Sequence, residues 1–160
     1  MNTKDVLKYG HLWVLKHVDG LTDEQWEAPG VCGYWSVKDI IAHLASYEDA
    51  LAGVLGVFLD GKDSEALEQF KSMRGDDFNA LQVGLRKERT PSQVLDEYVR
   101  YNSQVMELVD RLNPEIFLQV GAIPWYGEEY DLQDLIAYAF YGHKREHCAQ
   151  IAVYRDTLKE

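Results

Sequence analysis

At Thr22-Asp-Glu-Gln25, Ser36-Val-Lys-Asp39 and Thr90-Pro-Ser-Gln93 this chain places Ser or Thr three residues ahead of an acid or an amide. In that pattern the hydroxyl and the acid or amide satisfy backbone N–H groups that a helix start leaves without partners. Thr90 is followed by Pro91, whose missing N–H costs nothing in the first turn and whose fixed φ suits a helix. Asp131 offers a fourth cap, and Thr3 caps a first helix.

Apolar residues then recur at three and four positions over roughly 4–18, 37–59, 91–112 and 132–157, which predicts four long helices. The first stripe runs Leu7, His11, Val14, Val18, and the second includes Val37, Ile40, Ile41, Leu44, Leu51, Leu55 and Phe58. The third runs Leu95, Tyr98, Val105, Val109 and Leu112 with Asn102 among them, and the fourth Leu132, Ile136, Ala139, Phe140, His143, His147, Ile151 and Tyr154. No segment alternates at period two for long enough to argue a sheet. The polar stretch 60–89 holds a short helix around Ser64 to Ser72. A connection that long allows the second and third helices to lie parallel, whereas short loops force antiparallel neighbours. The segment from Pro114 to Tyr130, with Gly121, Pro124, Trp125, Tyr126 and Gly127, reads as a loop.

The 160 residues fit one all-α domain, 1–160, able to bury a core without disulfides. A net charge of -11 repels phosphate backbones and anionic lipid, so nucleic acid and membranes are not expected partners. With no signal-like leader and no uninterrupted apolar run near the ~18 residues of a span, the expected location is the cytoplasm. Cys32 and Cys148 form no C-x-x-C pair and read as two free buried thiols.

His143 and His147 stand four apart on the fourth apolar stripe, so both project inward beside Phe140 and Ile151. A buried imidazole must place one donor and one acceptor nitrogen, and leaving either unsatisfied costs about 1–3 kcal/mol. Such a pair either chelates a divalent ion, needing one further ligand from another helix, or consists of two satisfied core histidines. His43, on the flank of the second helix's apolar face, is the candidate third ligand. His11 and His17 read as packing or surface residues. His143-Lys-Arg-Glu146-His147 also spells H-x-x-E-H, the motif of inverted zinc peptidases, but those need a downstream acidic ligand on a large α/β scaffold and only 13 residues follow His147. Glu146 is turned ~100° from His147 around the helix and reads as a surface acid or one standing behind the ligands. Glu48 likewise reads as solvated helix face.

The segment from Gly33 to Glu48, with its Trp35-Ser-Val-Lys-Asp start and His43-Leu, joined to the later His143-x3-His147-x2-Gln150-Ile, resembles the DinB-like superfamily of metalloenzymes (DinB/YfiT type). The resemblance covers essentially the whole chain and looks closest to the ClbS/DfsB-like and thiol-transferase-like branch. It implies a four-helix bundle of up-up-down-down connectivity in which His43, His143 and His147 hold a divalent metal, zinc or nickel. It also implies a low-molecular-weight thiol as co-substrate in some members, and homodimers built through helix faces.

Three functions follow as expectations. The first is a metal-dependent transferase or hydrolase that joins a thiol or water to a small electrophile, with Trp35, Asn102, Trp125 and Tyr126 lining the cleft and Glu146 near the ligands. The second is a protein that sequesters a small molecule without turnover. The third is a structural, dimeric bundle whose histidines are merely hydrogen-bonded.

Overall fold

The computed structural model describes residues 2–159. The long helices are α1 (Thr3–Val18), α3 (Val37–Asp60) and α6 (Pro91–Arg111), with the shorter α2 (Asp23–Glu27), α4 (Glu65–Ser72) and α5 (Gly75–Leu85) between them. A 3₁₀ turn, Pro114–Leu118, precedes the last long helix, which begins as α7 (Leu132–Leu135) and continues as α8 (His143–Thr157). Between these, Ile136–Gly142 is widened into π-helix, with helical backbone on both sides, so the rod is continuous. Among the described residues there is no strand, only an isolated bridge between Cys32 and Trp35.

All three capping boxes form with both reciprocal bonds, and Asp131 makes a fourth with Asp134. The first helix differs by one residue: Asn2, not Thr3, is its cap and accepts from the Asp5 N–H at 3.1 Å. Thr3 instead turns inward and donates to Gln133 Oε1. Ser64 starts α4 as expected. The helix α5 has no counterpart in the sequence reading, because Arg74 at its start makes no capping bond and only Phe78 and Gln82 are buried along it. Gly53 lets α4 settle onto α3, since a Cβ there would stand 2.9 Å from Leu67 Cβ and closer still to Ser64 Oγ.

Connectivity departs from the order implied by the resemblance. The start of α1 lies beside the end of α6, through Lys4 and Asp110, and beside the start of α7, through Thr3 and Gln133. Its end lies beside the end of α8, where Arg155 donates to the carbonyls of His17 and Asp19. Thus α1 and α8 run together, while α3 and α6 run together the other way, with Glu48 bonded to Asn102 and Lys38 to the Lys87 carbonyl just before α6. The order is up-down-down-up. Between α1 and α3 the chain turns back through α2, whereas the 61–90 connection, with α4 and α5, retraces the length of a helix of 24 residues, ~36 Å, before α6 begins.

Two apolar clusters fill the bundle. One joins Leu7, Leu51, Leu55, Val105, Leu132 and Phe140, the other Val14, Ile40, Leu44, Val94, Tyr98 and Ile151. By hydropathy α3 is apolar enough to cross a membrane, yet 78% of its most apolar window is buried inside the bundle, as expected of a core helix.

Candidate metal centre

His43 is carried in the second turn of α3, whose Ser36–Asp39 capping box fixes the helix start. Just before it, Cys32 and Trp35 exchange backbone bonds across a tight turn with Gly33 at φ +59°, a conformation that disfavours a side chain. That turn folds the Trp35 ring over His43, with ring centres 4.9 Å apart. His143 and His147 open α8 directly after the π segment. An inserted π turn rotates everything beyond it, and such bulges occur often at functional sites.

The three Nε2 atoms converge. His43 Nε2 lies 2.8 Å from His143 Nε2, and His147 Nε2 lies 2.9 Å from it. His43 is 1% exposed and His147 is also buried. His147 Nδ1 is 2.8 Å from Gln150 Oε1, an acceptor, so Nδ1 carries the proton and Nε2 is left as a bare lone pair. An imidazole nitrogen has one in-plane site, either N–H or lone pair. If His143 Nε2 is protonated it donates along one short contact only; if it is bare it faces a second lone pair on His147. No assignment makes both contacts linear hydrogen bonds. A cation accepting three lone pairs removes the conflict, and three imidazoles leaving a further position open suit zinc or nickel. The residues therefore fit a divalent transition metal.

Burial, followed by the neighbouring histidines, lowers His43 to a pKa of about 2 and His143 to about 3. Both are neutral in the folded, metal-free protein at pH values where the unfolded chain, near 6.5, takes up protons. The unfolded state binds more protons below that pH, so stability declines as pH falls from 6.5 toward 3. The urea midpoint of metal-free protein is expected to drop across this window, and to drop less steeply in His43→Phe, which has one such group fewer. Equal slopes in the two proteins would contradict these shifts.

Of the other expected site residues, Trp35 stands at the centre and also lies 6.4 Å from His147. Trp125 is removed from the histidines by two rings: it meets Phe70 at 6.3 Å, and Phe70 meets Tyr47 at 5.2 Å. Tyr126 packs against Trp125 and Tyr130. Glu146 is exposed, close enough to His147 to favour its protonated form. Asn102 is buried but bonds Glu48 rather than a histidine. Glu48 corrects the sequence reading: it is fully buried, not solvated face. Cys148 is buried but Cys32 only half so. His17 is at the surface, bonded to the Trp13 carbonyl. Tyr47 was missed: one helical turn after His43, its ring packs 4.6 Å from His43 and 4.3 Å from His143.

The chain matches the family described as the mycothiol maleylpyruvate isomerase N-terminal domain over residues 14–116, more than half its length. The chain belongs to that family. The family falls within the DinB-like superfamily, whose members often bind metal. The matched span contains His43 and Trp35 and stops before His143 and His147. No curated protein and no solved structure matches the chain.

Proposed function

We propose that the protein is a divalent-metal-dependent enzyme, with His43, His143 and His147 as ligands for zinc or nickel, that transfers a low-molecular-weight thiol to a small electrophile or hydrolyses it. The observation that carries this reading is the pair of short Nε2 contacts at His143, which hydrogen bonding alone leaves unsatisfied. Bound in such a site, the ion supplies a Lewis acid that lowers the pKa of a thiol or of water.

The chain's own groups supply the setting. Gln150 holds His147 in the tautomer that presents Nε2. Trp35 packs on His43 and His147, and Tyr47 on His43 and His143. Neither ring brings a charge. Cys148 is no nucleophile, because burial pushes its thiol up to about 11. A thiol nucleophile supplied from solution agrees with mycothiol in the family's name.

Protein purified without an affinity tag is expected to carry about one equivalent of transition metal by elemental mass spectrometry. None, even after incubation with zinc or nickel, would overturn the reading. The loaded protein, given a thiol and a generic electrophile, is expected to turn over many equivalents. Arrest at one equivalent would make it a sequestering protein instead.

A further inference from the structure

Each of the four long helices carries a polar residue at the level between the two apolar clusters. They are His11 between Leu7 and Val14, Glu48 between Ala45 and Leu51, Asn102 between Tyr98 and Val105, and Lys144 between Phe140 and Cys148. Glu48 is 0% and Lys144 3% exposed along their side chains, with Nζ 2.6 Å from Oε1. Asn102 Nδ2 donates to the other carboxylate oxygen at 2.8 Å. His11 stacks on Tyr98, 5.5 Å between ring centres, and the Lys144 ammonium lies 5.7 Å from the same ring.

Such a layer is not explained by stability. Taking two charges out of water is expensive, and apolar side chains of similar volume in place of a buried pair are often no less stable. What a buried polar group supplies in a bundle is register, since a helix that slides or rotates leaves it unpaired. Here register matters for a particular reason. Lys144 lies between His143 and His147 on α8, and Glu48 follows Tyr47 on the helix that carries His43. The backbones of α3 and α8 come close at few points compared with those of α3 and α6, so the side chains between them set how the two ligand-bearing helices lie.

We infer that Glu48, Lys144 and Asn102 are positioning residues: their buried layer fixes α8 against α3 and α6 in the register that brings His43 to His143 and His147. This rests on the metal reading above only for its affinity readout. The histidine juxtaposition is a property of the chain itself.

The test compares wild type with Glu48→Gln/Lys144→Met, which removes both charges together and keeps an oxygen for Asn102. Melting temperature is expected to stay within a few degrees of wild type or to rise. Cobalt(II) affinity is expected to fall about 10- to 100-fold, the usual cost of losing a group that orients ligands, with an altered d–d spectrum. In metal-free protein, nuclear Overhauser contacts between the His43 and His143 rings are expected in wild type and weakened in the variant. Cobalt affinity within twofold of wild type with an unchanged spectrum, or undiminished ring contacts, would overturn the inference. Wild type that binds no cobalt would end the metal reading, and the ring contacts would then decide the register claim alone. Should the double variant fail to fold, Asn102→Ala, which leaves the charges paired, is read by the same two measurements. Its expected loss lies toward the lower end of that range, and unchanged readings there would equally overturn the inference.

Discussion

Lys144→Met alone is expected to destabilise the protein by about 3–5 kcal/mol, far more than Glu48→Gln/Lys144→Met does. The single change strands the Glu48 carboxylate at 0% exposure with only the Asn102 amide for a partner. A carboxylate in that position recovers neither the water it lost nor the ammonium it faced. Removing both charges leaves nothing stranded, which is why the double variant is the milder. Chemical denaturation of the two variants beside wild type reads the difference directly, and the gap between them reports the cost of an unpaired buried charge rather than the net worth of the pair. A loss below about 1 kcal/mol, the range of surface pairs, would mean that water reaches Glu48 and that the layer is not closed.

The sequence carried the helix starts almost without loss, because a capping box is a local device: Thr22, Ser36, Thr90 and Asp131 each bond within three residues. It failed where the signal is not local. Helix α5 has no cap and two buried side chains, and is held by Arg86, which forks onto Glu97 of α6 at 2.9 and 3.1 Å, so its evidence lies eleven residues away. The up-down-down-up order was equally hidden, since it depends on how far α4 and α5 carry the chain.

The polar layer was half legible. His11 and Asn102 stand on stripes that read as apolar, and an amide there already asked for a partner. Glu48 read as an ordinary charge of a helix surface, and no spacing singled out Lys144. Only the approach of α3 to α8 shows that each is the other's counter-ion. The three ligand candidates were legible because histidine on an inward stripe is conspicuous at either end of a long sequence separation. The tautomer set by Gln150 and the ring of Tyr47 were not, although both stand one turn from a ligand and could be sought by that spacing.

His143→Ala is expected to lower metal affinity at least about 100-fold, more than the loss typical of residues that merely orient a ligand. His143 is the shared member: its Nε2 makes both short contacts, while His43 and His147 each make one. Without it the two remaining nitrogens have no common neighbour. His43→Ala and His147→Ala are expected to lose metal as well, so that elemental analysis finds well under one equivalent in all three. The metal-free proteins should differ little. Alanine at 143 abolishes the contact that hydrogen bonding leaves unsatisfied, so the metal-free variant is expected to be at most about 1 kcal/mol less stable than metal-free wild type, after the lost ring packing is offset. The difference between the two proteins then lies in the added metal. At one hundred times its dissociation constant an ion that binds only the folded state stabilises by about 2.7 kcal/mol, and that shift is expected in wild type and absent in the variant. An equal shift in both would place the metal elsewhere, and a metal-free variant that unfolds outright would make the three histidines part of the bundle's core rather than a site set into it.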